Sequence, residues 1–205
     1  MVLDTQRENV APLIDRFAKI FISISPNVLS WFSLVFAILA GLLFYFSTPD
    51  NYFLLIAVLF VFLNGFFDAI DGKVAKLTNK VSKKGDFIDH AIDRYADIFI
   101  LGGLAFSMWC QLWIGFLAIV GMFLTSYMGT QAQAVGCKRN YSGLLGRADR
   151  LVLLMVFPVI QNIFMNYTTG FLFGFTLLEW MLVYFAVIGN ITAIQRFYST
   201  LKWFN

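Results

Sequence analysis

Six apolar runs dominate this 205-residue chain, at about 28–47, 52–67, 98–110, 112–135, 151–165 and 171–195. A stretch of roughly 20 apolar residues is what a helix needs to cross the hydrocarbon core of a bilayer. Sixty per cent of the residues are apolar and 13% are charged, against roughly 45–50% and about 25% in soluble domains. A single domain of this length cannot hide that excess internally, so it faces lipid. With 24 Phe, 5 Trp and 8 Tyr, the composition also excludes disorder. The expected fold is an all-α integral membrane domain spanning residues 1–205.

The segment 7–24 differs from the runs. Val10, Ile14, Phe17, Ala18 and Phe21 recur at helical offsets, while Asp15, Arg16 and Lys19 fall elsewhere. That pattern predicts an amphipathic helix lying at the membrane interface. Ser25-Pro26-Asn27 ends it, and a six-helix transmembrane bundle follows over 28–198. The acidic residues near the start do not match the layout of a cleaved targeting peptide.

Charge gives the sidedness. With six alternating helices, the loops at 47–51, 107–113 and 165–170 lie together on one side, and none contains Lys or Arg. All fifteen basic residues fall on the other side. Basic flanks stay in the cytoplasm, which predicts cytoplasmic termini for a multi-pass plasma-membrane protein. The two cysteines, Cys110 and Cys137, show no metal or redox spacing and read as small apolar filler.

The acidic residues are concentrated as well. Six of the twelve are Asp68, Asp71, Asp86, Asp89, Asp93 and Asp97. Asp68 and Asp71 (i,i+3) share one helix face, and Asp89 and Asp93 (i,i+4) share another. The loop 77–84 reverses the chain, so the two faces can meet near the inner membrane surface. Four converging carboxylates repel each other unless a cation sits between them, and charge at bilayer depth is costly. All-oxygen ligation suits Mg²⁺ or Mn²⁺. Gly72 and Ala75 remove bulk beside the acids. His90 points off the Asp89/Asp93 face and reads as structural. Asp86 reads as an acid favoured at a helix start, Asp97 as a neighbour of Asp93 one turn on. Glu179 is an intramembrane acid and a functional suspect. Gly170 and Gly174 form a GxxxG spacing suited to close helix packing.

The residues Asp68-Ala-Ile-Asp71-Gly72-Lys-Val-Ala75-Lys76, followed by Gly85-Asp-Phe-Ile-Asp89-His-Ala-Ile-Asp93, resemble the signature of the CDP-alcohol phosphotransferases, D-x-x-D-G-x-x-A-R-x8-G-x-x-x-D-x-x-x-D. Lys76 replaces the usual Arg. The resemblance implies six transmembrane helices behind an N-terminal interfacial helix, and a homodimer. It further implies a reaction in which an alcohol hydroxyl attacks the phosphorus of a CDP-linked lipid and CMP leaves. Carried over by position, Asp68, Asp71, Asp89 and Asp93 hold two divalent ions, with Asp93 also the general base. Asn27, Asp68, Asp71, Gly72, Ala75, Lys76 and Gly85 bind the CDP-lipid. Lys neutralises a phosphate without the bidentate fork of Arg.

Ser126-Tyr127, Gly146-Arg147-Ala-Asp149-Arg150 and Gln195-Arg196 resemble the branch that uses inositol phosphate as acceptor, in the style of its archaeal members, which transfer an archaetidyl group. That implies an acceptor-phosphate pocket of Arg147, Arg150 and Arg196. Gly129 stands where bacterial relatives often carry Lys or Arg, and Lys138 or Arg139 is the alternative source of that charge. Glycerol phosphate or another alcohol remains an alternative acceptor. An Asp-rich, Mg²⁺-dependent intramembrane prenyltransferase is the remote alternative. Membrane lipids are expected partners and nucleic acid is not.

Overall fold

The computed structural model describes residues 7–138, 140, 142–167 and 170–204. Its described residues form seven helices and one small hairpin: α1 (Arg7–Ile20), α2 (Pro26–Phe46), α3 (Phe53–Leu77), α4 (Lys83–Ala105), α5 (Leu112–Ala134), α6 (Arg147–Tyr167), β1 (Phe171–Leu172), β2 (Phe175–Thr176) and α7 (Leu177–Leu201). Five of them, α2, α3, α5, α6 and α7, are long and apolar enough to cross a membrane. The protein is an all-α membrane protein. α4 has the length of a span, but Lys83, Lys84, Asp86, Asp89, Asp93, Arg94 and Asp97 occupy its first two-thirds.

The helices close into a ring. α2 packs against α3 and α4, α4 against α5, α5 against α7, α7 against α6, and α6 back against α3, with α1 lying on α3. In lipid such contacts depend on small residues that let backbones approach. Between α2 and α4 these are Gly41 and Gly103. A Cβ on Gly103 would collide with the Gly41 backbone, and one on Gly41 with the Phe99 carbonyl. Between α5 and α7, Thr125 Oγ1 donates to the Gly189 carbonyl oxygen at 2.7 Å.

Polar side chains seal the loops at the end of the bundle remote from the aspartates. Trp109 Nε1 donates to Ser47 Oγ at 2.6 Å, and Thr176 Oγ1 to the Trp109 carbonyl at 2.7 Å. Glu179 is buried and accepts from the Gln111 backbone N–H at 2.8 Å, so it satisfies a donor at the start of α5. The suspected functional acid is thus bound to the frame.

Two sequence expectations are corrected. The last apolar run does not start as a helix: 171–176 is a hairpin with Phe171 paired to Thr176 and Leu172 to Phe175. Its turn residues Phe173 and Gly174 have φ of 52° and 84°, the left-handed pair that a two-residue hairpin requires. Gly170 and Gly174 therefore serve the hairpin and its approach rather than a helix–helix face. The third run also ends early, because α4 stops at Ala105.

α1 is held on α3 by an apolar cluster of Ala18, Leu29, Ile70 and Val74 flanked by Ile14, Phe21, Phe66 and Phe67. Lys73 Nζ pairs with Asp15 Oδ1 at 2.6 Å, one residue from Gly72.

Candidate active site

α3 and α4 run past the ends of their apolar stretches, and both extensions stay helical, which carries the aspartates as rigid side-chain ladders. At the end of α3, Thr78 Oγ1 donates to the Val74 carbonyl at 2.8 Å, and Asn79 reverses the chain with φ of 54°, a conformation Asn tolerates. α4 restarts at Ser82, whose Oγ accepts from the Gly85 backbone N–H at 3.1 Å, an N-cap. Gly85 leaves room here: a Cβ on it would lie 3.3 Å from Ser82 Oγ and 3.7 Å from Asn27 Oδ1.

A cleft of about 180 Å³ opens between the starts of α2 and α4 and the end of α3. Asn27, Asp71, Gly72, Ala75, Lys76, Gly85 and Asp89 all line it, together with Ser30 and Ser82. A Cβ on Gly72 would meet nothing within 4 Å, so the glycine widens the cleft. Six of the seven residues expected to bind the CDP-lipid stand around one opening; Asp68 alone does not line it.

Asp68 faces inward instead. Arg147, at the start of α6, places Nη1 2.8 Å from Asp68 Oδ2 and 2.5 Å from Asp93 Oδ1. Asp93 lies within hydrogen-bonding reach of Asp68 and within electrostatic reach of Asp89, and Asp71 within that of both Asp68 and Asp89. The four carboxylates therefore converge. Asp71 has a partner the sequence did not indicate: Ser30, on α2, donates to its Oδ2. No local pattern marks Ser30, which reaches Asp71 only through the packing of α2 on α3.

The donor set fits a hard divalent cation. It is made of carboxylate oxygens, and a guanidinium already lies between two of them. Ligand atoms of Asp89, His90 and Asp93 lie within 4.8 Å of one another. His90 is drawn toward the acids, with Nε2 3.5 Å from Asp86 Oδ1 and Nδ1 3.5 Å from Asp89 Oδ2. It is nearer the cluster than its helical angle suggested.

The three arginines come from two helices, Arg147 and Arg150 from α6 and Arg196 from α7. Arg147 reaches Asp68 on α3 and Asp93 on α4, while Arg150 pairs with Asp97 on α4. Arg150 Nη1 lies 3.1 Å from Asp97 Oδ2. Arg147 Nε and Nη2 are buried and have no hydrogen-bond partner among the described residues. Arg196, on α7, donates from Nη1 to the Thr125 carbonyl at 2.6 Å and from Nε to the Ser142 carbonyl at 2.8 Å. It lies beside Gly129, where a Cβ would stand 3.2 Å from Arg196 Nη1. The place of the missing basic side chain is thus bordered by Arg196. Arg139 falls outside the described residues.

Residues 23–192 match the family model described as CDP-alcohol phosphatidyltransferase. An archaetidylinositol phosphate synthase of Pyrococcus horikoshii is 29% identical over 204 residues, covering 98% of this chain and 97% of its own. A phosphatidylinositol phosphate synthase of Cutibacterium acnes is 26% identical, covering 84% of each chain. Among solved structures, the phosphatidylinositol phosphate synthase of Mycobacterium tuberculosis with CDP-DAG bound superposes with a TM-score of 0.72 at 20% identity, over 92% of this chain and 94% of that one. The same enzyme in complex with manganese and citrate gives 0.74 at 21% identity, over 92% and 88%. At that identity the likeness concerns the fold. The family model spans most of the sequence and contains the whole aspartate signature, and the chain belongs to the CDP-alcohol phosphatidyltransferase family.

Proposed function

We propose that this transferase moves a phosphatidyl-type group, of the archaetidyl kind, from a CDP-linked lipid to a hydroxyl of myo-inositol phosphate, releasing CMP in membrane phospholipid synthesis. One observation carries the reading. The cleft gathers the nucleotide-side signature residues, and at the two carboxylates deeper in the site Arg147 turns an unpaired Nε–Nη2 edge to the interior. A cytidine diphosphate fits the first feature and a phosphorylated acceptor the second, since a guanidinium edge matches two phosphate oxygens.

Asp68, Asp71, Asp89 and Asp93 hold the divalent ions, two of Mg²⁺ or Mn²⁺. Such ions supply neutralisation of the pyrophosphate and stabilisation of the departing CMP oxygen. Asn27, Gly72, Ala75 and Gly85 seat the nucleotide, and Lys76 neutralises a phosphate charge. Ser30 fixes the carboxylate of Asp71. Asp93 takes the proton of the attacking hydroxyl; the new phosphorus–oxygen bond forms as the bond to CMP breaks. Arg147 and Arg150 orient the acceptor phosphate, and Arg196 ties α7 to Thr125 of α5 and to Ser142.

In this reading α4 is the sixth span, both termini and the site face the cytoplasm, and the protein resides in the plasma membrane as a homodimer. The distribution of all fifteen basic residues supports that sidedness. α1, within residues 7–24, is the interfacial helix, and 28–198 hold the bundle of the same domain.

The test is CMP release. Purified protein in nanodiscs, given a CDP-lipid, inositol phosphate and Mg²⁺ or Mn²⁺, should liberate CMP and stop when EDTA is added. Metal-replete protein that releases no CMP from CDP-diacylglycerol or CDP-archaeol contradicts the proposal.

A further inference from the structure

Asp97 belongs to no part of the aspartate signature, yet it sits at the centre of an ionic network one turn beyond Asp93. Its Oδ2 lies 3.1 Å from Arg150 Nη1 of α6 and 3.8 Å from Arg94 Nη1 of its own helix. Arg94 in turn places Nη2 3.4 Å from Asp93 Oδ2. One carboxylate oxygen thus connects the two arginines that flank the proposed base and the proposed acceptor site.

Arg150 needs this partner. It is only 5% exposed, and its other hydrogen bonds among the described residues are to neutral groups: Nε to the Gly146 carbonyl at 3.3 Å and Nη1 to Met122 Sδ at 3.4 Å. A buried guanidinium without an opposing charge is strongly unfavourable. The guanidinium could otherwise turn toward Asp93, within its electrostatic reach, whose charge Arg147 already shares. Asp97 removes that alternative. It also draws on Arg94, which would otherwise pair with Asp93 alone.

We infer that Asp97 is a positioning residue for the acceptor: it anchors Arg150, so that the phosphate of the acceptor meets a preset guanidinium. This inference rests on the proposed function, in which Arg150 orients the acceptor phosphate. Asp97 itself touches neither substrate.

The test is a double-mutant cycle on the full-length protein in nanodiscs, with myo-inositol phosphate as the acceptor and CDP-lipid binding measured separately. D97N should raise the acceptor KM about tenfold, with CDP-lipid affinity within twofold of wild type, and D97E should recover most of the loss. R150Q should raise the acceptor KM by at least as much. The deciding comparison is D97N/R150Q against R150Q. If Asp97 acts through Arg150, the second substitution adds less than twofold; effects that multiply overturn the inference, because Asp97 then acts elsewhere. The double variant removes both charges of the buried pair, so it is expected to fold even where D97N does not, and the comparison stands without the single variant. If R150Q leaves the acceptor KM unchanged, the assignment of Arg150 in the proposed function fails. If R150Q raises it while D97N and D97E do not, the role of Asp97 alone fails.

Discussion

Arg147 Nη1 lies 2.5 Å from Asp93 Oδ1, joining the start of α6 to the carboxylate one turn beyond Asp89 on α4. The same nitrogen reaches Asp68 on α3. One guanidinium therefore links three helices at the point where the carboxylates meet. Arg147→Gln removes that cation and the unpaired Nε–Nη2 edge together. The acceptor KM should rise by one to two orders of magnitude, the scale of a charge-assisted bidentate contact. The Mn²⁺ concentration for half-maximal binding should fall, because no side-chain cation then competes for Asp68 and Asp93. Metal titration by calorimetry reads the second effect; weaker metal binding in the variant would contradict it.

Asp93→Asn keeps the shape of the side chain and removes its capacity to take a proton. Turnover should fall by about 10³, within the range for a lost general base, while CDP-lipid binding persists. Single-turnover CMP release and equilibrium CDP-lipid binding separate the two. Turnover within tenfold of wild type rejects the assignment of Asp93 as base.

Ser30→Ala leaves Asp71 without its side-chain donor. Partners that orient metal-ligating carboxylates are commonly worth 10- to 100-fold in metal affinity, so an approximately tenfold weaker Mn²⁺ affinity is expected with little change in thermal stability. Calorimetry and a thermal-shift series check both.

These variants mark where the sequence was informative. The aspartates were legible because carboxylates at bilayer depth are costly and six of the twelve acids fall between Asp68 and Asp97; their helical spacing then set which of them share a face. The cleft residues were legible through the signature, and the structure gathers all but Asp68 around one opening. Ser30 was not, since a serine on an apolar helix carries no local mark and acquires its partner only from the crossing of α2 and α3. The protein partners of Arg150 and Arg196 were not legible, because a basic residue at a helix end looks the same whether it meets phosphate, protein or both. Their partners, Asp97 and the carbonyls of Thr125 and Ser142, come from distant segments. The 171–176 hairpin escaped for a different reason. Its Phe and Leu residues have the composition of a span, and the positive φ values that bend it leave no hydropathy signal.

The α2–α4 contact supports the site from below, since α4 carries Asp89 and Asp93. Gly103→Val places a branched side chain against the Gly41 backbone. Overpacking of this kind typically costs about 1–3 kcal/mol, and here the obstacle is backbone rather than a flexible side chain. The melting temperature in nanodiscs should fall clearly, with activity lost in parallel. Gly102→Ala, one residue away with nothing within 4 Å of its Cβ, should leave both close to wild type.

Cys110 offers a probe of the opposite end. It lies in the loop between α4 and α5, where burial first, and then the charge of Glu179, push its thiol up to about 12. The thiolate is the reactive form, so Cys110 is held in its unreactive thiol form at pH 8. Iodoacetamide should label Cys110 slowly. Glu179→Gln removes the carboxylate and should speed Cys110 labelling, as read by mass spectrometry of the modified peptides.

The choice of acceptor is the central claim. Protein in nanodiscs containing CDP-lipid and Mn²⁺ is offered radiolabelled inositol phosphate, glycerol phosphate, serine and inositol side by side, and the lipid fraction is counted. Incorporation of inositol phosphate well above the other three is the predicted result. Incorporation of glycerol phosphate alone, or of unphosphorylated inositol as readily as its phosphate, would contradict the account.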